Sequence, residues 1–264
     1  MTFHFSNSFV EVDDDYITAR SAATGYPKIG VMDFWNWKRR FRGNDLTTND
    51  YLLKFRMVPT TALVGIFLND VNFDTIRVEA HTTDSWASPN FSTGDLEVSA
   101  NKITDTYGIY IPMTGYTSGN EWIRLFIPSG TSAVGSYKTK WEICTVCLLS
   151  SSIQLAHGIA LDYVQEPYHF YKDCINERIK TGEIIRWQAQ MPFGNRDIAS
   201  PEDWYNVGKM DMSEPFIFYD DRESTADAHL CVRDDSLKFT EFDLNAMHGN
   251  SVAVREVYKI GAEK

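Results

Sequence analysis

Tyr51-Leu-Leu-Lys-Phe-Arg-Met57, Ala62-Leu-Val-Gly-Ile-Phe-Leu-Asn69 and Asp74-Thr-Ile-Arg-Val-Glu-Ala-His81 follow one another across short turns. Successive side chains on a strand alternate between faces. In the first segment Tyr51, Leu53, Phe55 and Met57 therefore share one face, and Leu52, Lys54 and Arg56 the other. In the third, Ile76, Val78 and Ala80 oppose Arg77, Glu79 and His81. Both read as strands with a core face and a mostly wet face. The middle segment is apolar on both faces, the mark of a central strand covered on both sides. Three such segments in a row predict a β-sandwich and contain no catalytic group.

Further strand-length segments continue at hairpin spacing: Tyr107 to Pro112, Glu121 to Ile127, Trp141 to Leu149 and Ile153 to Val164. Between the two groups, Thr82 to Tyr107 is rich in turn formers, with Pro89, Asn90, Gly94 and Asn101, and reads as a long connection holding one irregular strand. Residues 1 to 20 read as a polar, acidic arm, with Asp13-Asp14-Asp15 marking a turn and the arm a candidate intersubunit contact. Proline cannot donate to a central ladder, so Glu166-Pro167 is expected to close the domain. The expected layout is an arm at 1–20, a sandwich at 21–165 and a smaller β domain at 166–264. In that last part Gly182 to Gln190, Phe216 to Tyr219, Ala228 to Arg233, Leu237 to Phe242 and Ser251 to Tyr258 read as strands. Ser200-Pro201-Glu202-Asp203 opens one short helix ending near Gly208, the serine capping, the proline at the first turn and the acids at the positive end of the dipole.

With 264 residues, 43% hydrophobic and 14% aromatic, the chain can bury one large core or two moderate ones. The net charge of -11 lacks the cationic footprint that duplex nucleic acid requires. Met1-Thr-Phe-His-Phe-Ser-Asn7 has no basic region followed by an apolar one, so no Sec signal is expected. No apolar run approaches the roughly 20 residues of a membrane span, and synthesis in a cytoplasm is the expectation.

The six histidines stand at neither HxxxH nor HxH spacing. A GxSxG elbow, a GxxxxGK[ST] loop and a GxGxxG turn are all missing from the sequence, so no catalytic, cofactor-binding or metal-ligating residue is expected. Cys144 and Cys147 resemble a CxxC but fall in a strand, where residues three apart point to opposite faces; they read as buried thiols, as do Cys174 and Cys231. The acidic run Asp220-Asp221-Arg222-Glu223, with Asp227, Asp234 and Asp235, lacks EF-hand spacing and reads as a solvated loop face. Glu79 and Glu97 would form an acid and base pair only if they met across a groove. Asp33-Phe-Trp-Asn-Trp-Lys-Arg-Arg-Phe-Arg42 gathers aromatics and cations. Such a cluster either stacks on a sugar or base or packs cation stems on tryptophan at the mouth of a sandwich. Trp35, Trp37, Arg39 and Arg40, with Trp86, are the candidate residues for a glycan or subunit contact.

The order of these segments resembles the galactose-binding-like jelly roll of tail proteins in tailed bacteriophages. An extended strand precedes the buried strand ending at Asn69. The Arg77-Val78 strand, Trp122-Ile-Arg-Leu-Phe-Ile127 and Trp141-Glu-Ile-Cys-Thr-Val-Cys-Leu-Leu149 follow. Ile185-Arg-Trp-Gln-Ala-Gln-Met-Pro-Phe193, Pro215-Phe-Ile-Phe-Tyr-Asp220, His229 to Phe239 and Val254-Arg-Glu-Val-Tyr258 look like the small β domain that accompanies it. The resemblance implies a virion structural protein of the distal tail, tail tip or baseplate, forming a homo-oligomeric ring with tail-tube and tail-hub partners. It implies no cofactor and no enzymatic activity. An acidic surface facing a tail channel would repel passing DNA. Because galactose-binding-like folds often bind sugars, the alternative is a module for a host surface glycan, with Trp35, Trp37, Trp86 and Trp122 as its platform. The wet Lys54, Arg56, Arg77 and Glu79 are expected to meet a neighbouring subunit.

Overall fold

The computed structural model describes residues 3–33, 40–58, 61–100, 107–135, 137–155, 162–174, 177–191, 215–220, 228–233, 239–243, 246–249 and 252–256. Its strands are β1 (Phe3–Phe9), β2 (Ile17–Ala19), β3 (Phe41–Arg42), β4 (Asp50–Arg56), β5 (Gly65–Val71), β6 (Thr75–His81), β7 (Phe91–Ser92), β8 (Leu96–Glu97), β9 (Ser99–Ala100), β10 (Tyr107–Pro112), β11 (Trp122–Ile127) and β12 (Glu142–Leu155). Then come β13 (Asp162–Cys174), β14 (Glu177–Met191), β15 (Phe216–Asp220), β16 (His229–Arg233), β17 (Phe239–Asp243), β18 (Ala246–Gly249) and β19 (Val252–Glu256). The helical turns among the described residues are two short 3-10 segments, Asp14–Tyr16 and Lys28–Met32. The protein is an all-β chain of antiparallel sheets. It divides into two compact units, the larger built on Ser6–Ser152, which holds most of β1 and β12, and the smaller on Met1–Phe5, Ile153–Arg222 and His229–Ala262.

In the larger unit the first sheet runs β1-β12-β5-β10-β9, with β3 also on β12; the second runs β2-β4-β11-β6-β7, with β8 on β6. Between β3 and β12 the chain keeps changing sheets, so that β3, β5, β10 and β12 fall in one and β4, β6, β7 and β11 in the other. This alternation brings two apolar faces together. Leu53, Phe55, Met57, Ile76, Val78, Ala80, Ile123, Leu125 and Ile127 from the second sheet join Ile66, Leu68, Val71, Ile109, Ile111, Ile143, Val146 and Leu148 from the first in one core.

The middle strand of the opening triplet, β5, is buried on both faces: Ile66, Phe67 and Leu68 are each at most 1% exposed. Gly65 begins it because Tyr110 of β10 lies across that position. A Cβ on Gly65 would sit 2.3 Å from the Tyr110 hydroxyl oxygen and 2.5 Å from Cζ. Further along, the alternation breaks. Leu68 and Val71 both enter the core although three apart, and Asp70 between them has φ 49°, a left-handed conformation that aspartate tolerates better than most residues.

The opposite strand breaks step with it. Ile143 and Val146 of β12 both face the core, across from Val71 and Leu68. Strand alternation therefore does not by itself separate Cys144 from Cys147, as the spacing had suggested. Both are fully buried thiols. Among the described residues no group of three His, Cys, Asp or Glu could hold a metal ion.

Several sequence expectations are corrected. Where residues 1–20 were expected to form an arm without regular elements, Phe3–Phe9 is a strand on β12, with the Ser6 hydroxyl bonded to the Ser151 carbonyl and Ser151 Oγ donating to Ser8 Oγ at 2.6 Å. Among its described residues the Thr82–Tyr107 connection holds three two-residue strands, β7, β8 and β9, where one was expected. Of the strand expected from Ile153 to Val164, β12 runs on through Leu155 and β13 begins at Asp162, and residues 156–161 lie outside the described residues. Glu166-Pro167 does not end an element. Pro167 lies inside β13 opposite Ile185, and among the described strands β13 stands at the edge of its sheet, where a missing N–H is tolerated.

In the smaller unit β13 and β14 form a long hairpin, followed in sheet order by β19, β16 and β15; β17 and β18 make a separate hairpin. The short helix expected at Ser200–Gly208 lies outside the described residues.

Candidate functional site

The outward face of the second sheet is set by the registers of β11. Trp122 stands between Arg56 of β4 and His81 of β6, Arg124 between Lys54 and Glu79, and Phe126 between Tyr51 and Arg77. Alternation sends Ile123, Leu125 and Ile127 inward, so these three rows of aromatics and charges share the other face. The second of them is not wet. Lys54 is 9% and Glu79 3% exposed.

The cover comes from the segment after β6. Asp84 accepts from Lys54 Nζ with both carboxylate oxygens at 2.8 Å, and the Trp86 indole N–H donates to Asp84 Oδ1 at 2.5 Å. The Trp86 ring lies 4.5 Å from the Arg124 guanidinium, which donates to Glu79. Arg77 bonds Asp95 at 2.7 Å and reaches Glu79 at 3.5 Å. Phe126 packs against both arginines, at 4.8 Å from Arg124 and 5.2 Å from Arg77. Lys54 also lies over the Tyr51 ring at 4.6 Å, and Arg56, more exposed, lies 5.7 Å from Trp122 and 3.8 Å from Glu121. Burial pushes the Asp84 carboxyl up. The Lys54 and Trp86 hydrogen bonds and the Lys54 and Arg124 charges outweigh that and hold it below the ordinary carboxylate range.

A second constellation lies on the first sheet. The Arg42 guanidinium sits 4.1 Å from the Tyr26 ring centre and 4.0 Å from that of Tyr137, and bonds Glu142 Oε1 at 2.5 Å. Arg40 reaches Glu142 at 3.4 Å and Asp70 at 3.3 Å. Asn72 ties the turn to this site, donating to the Tyr137 and Lys140 carbonyls at 2.8 and 2.7 Å and accepting from the Glu142 N–H at 2.7 Å.

No protein-family model, curated protein or solved structure matches this chain. The site is therefore read from its own residues.

Of the five candidate contact residues, Trp35, Trp37 and Arg39 lie outside the described residues. Arg40 and Trp86 are not brought together, because Arg40 pairs with β5 and β12 of the first sheet while Trp86 packs on Arg124 of the second. Lys54 and Glu79, expected to await a neighbouring subunit, are taken up within the chain. Glu97 lies opposite Thr75, and Glu79 opposite Ser92, so the two residues take register positions four residues apart along β6, about 13 Å of strand. They do not form an acid and base pair across a groove. The Lys54–Asp84–Trp86–Arg124–Glu79 set was only partly visible beforehand. Its strand members could be placed on one face by period 2, but nothing local announces that Asp84 and Trp86 fold back over them.

Chemically, the outer face offers Lys54, Arg56, Arg77 and Arg124 against Glu79, Asp84, Glu121 and Asp95, each cation with an acidic partner. Arginine stems and aromatic rings hold these pairs in fixed orientations. Such a face suits a rigid contact surface. Among the described residues no helix is long and apolar enough to cross a membrane.

Proposed function

We propose that this chain is a structural component of a bacteriophage tail, in the distal tail, tail tip or baseplate, assembling as a ring through contacts between copies. The observation that carries the reading is the strand order. The alternation of β3, β5, β10 and β12 with β4, β6, β7 and β11 between two sheets supports a jelly roll, the domain to which the order of sequence segments is similar. The self-neutralised outer face of the second sheet supports the same reading, since a scaffold needs fixed surfaces more than groups waiting for a substrate. Tail-tube and tail-hub proteins are the partners this reading names. The test is electron microscopy of the purified chain together with antibody labelling of phage particles: closed rings and label at the distal tail are expected. A chain that stays monomeric and labels no particle would overturn it.

A second reading, a module for a host surface glycan, is favoured by one feature. Trp122 and Trp86 both pack around the cations of the same sheet, and Trp122 has exposed Arg56 beside it. Aromatic faces flanked by charged donors are suited to sugar rings. Binding on a glycan array that disappears in Trp122→Ala would support it, and a blank array would end it.

A further inference from the structure

Among the described residues, one edge of β14 is paired over only part of its length. β13 pairs with it along its whole length, from Asp162 opposite Gln190 to Cys174 opposite Glu177. On the other side, β19 reaches only Gln188 to Met191. Among the described residues, Glu177 to Trp187 therefore has one neighbour strand and one open edge. A two-stranded ribbon is marginal by itself, and an open edge is a template for another strand.

The register decides what this edge fits. Phe170 pairs with Gly182 and Tyr171 with Lys180, so Thr181 is an extra residue and the face alternation of β14 shifts there. Directly paired residues share a face. Ile179, opposite Lys172, thus lies on the same face as Ile184, opposite Tyr168; Lys180 and Glu183, opposite Tyr171 and His169, share the other face. Glu177 and Arg186 share the first face by the same count.

We propose that this edge pairs antiparallel with the same edge of a second copy of the chain, about a two-fold axis between Thr181 and Gly182. An isologous contact of this kind requires each residue to meet its mate on one face. The shift at Thr181 supplies that. The pairing sets Lys180 opposite Glu183, Ile179 opposite Ile184, Arg178 opposite Ile185 and Glu177 opposite Arg186, each twice by symmetry. No like charges meet, and sliding the register by one two-residue step in either direction loses both the Ile–Ile pair and the Glu177–Arg186 pair. Opposite-charge and aliphatic cross-strand pairs are the units that stabilise a sheet. The inference goes beyond a tail assignment and stands without it.

The test is charge exchange on the full chain, followed by sedimentation equilibrium. The unaltered chain is expected to form dimers, or dimers of larger rings. Lys180→Glu alone and Glu183→Lys alone each set like charges face to face and are expected to weaken the two-fold contact about tenfold or more. Mixing the two single variants restores both opposite-charge pairs, so the mixture is expected to associate as the unaltered chain does. Hydrogen exchange of the unaltered chain gives a reading free of substitutions, with amides of residues 178–185 expected to exchange more slowly as concentration rises. A monomeric chain, oligomers indifferent to either substitution, a mixture that fails to associate, or amide exchange independent of concentration would overturn the proposal.

Discussion

At the scale of single residues, Gly65 and Tyr110 show how one side chain dictates another's absence. The Tyr110 ring occupies the space where a Cβ on Gly65 would be. Gly65→Ala is expected to lower stability by about 1–3 kcal/mol, the usual cost of overpacking, read as a lower urea midpoint with unchanged slope. Asp84 supplies a pH dependence. Its carboxyl is held below the ordinary range in the folded chain, so its contribution is present above the unfolded value of about 3.9 and is lost as pH falls through the lower folded value. Its partial exposure keeps that contribution modest. The gap in thermal midpoint between the unaltered chain and Asp84→Asn should close on acidification; a gap that stays constant would show that the carboxylate charge is not what matters. Sequence could place Lys54, Arg124 and Glu79 on one face, because period 2 does that. It could not show them buried, because the covering residues come from a turn-rich segment without periodicity.

At the scale of elements, strands whose alternation is strong were legible nearly to the residue. β10 spans Tyr107–Pro112 as read, and β11 begins one residue after its expected start. β1 was not legible. Phe-His-Phe-Ser-Asn-Ser-Phe is mostly polar after its first three residues, and its partner β12 lies at the far end of the larger unit, so only tertiary pairing makes it a strand. The two-residue strands β7 to β9 are too short to carry any period. β1 also protects an edge: its serines bond Ser150 and Ser151 of β12. Deleting residues 1–9 is expected to lower the thermal midpoint and promote aggregation, measured by light scattering during heating. Unchanged scattering and midpoint would mean that β12 does not depend on this cover.

At the scale of the whole molecule, the strand order follows from which faces must be buried, yet no single segment states it. β4 finds β11 and β5 finds β12 across long stretches of chain, and only the sum of apolar faces selects those pairings. Domains dominated by distant pairings fold slowly, on about the millisecond-to-second scale. β12 offers a way to watch the reverse process. Cys144 and Cys147 lie fully buried at the centre of the first sheet, so an alkylating reagent can reach them only when that sheet comes apart. Their labelling, followed by peptide mass spectrometry, should track unfolding of the larger unit in added urea, and immediate labelling in plain buffer would contradict it. The strand that closes the sandwich thus keeps its own chemical clock, stopped while the fold is shut and started each time it opens.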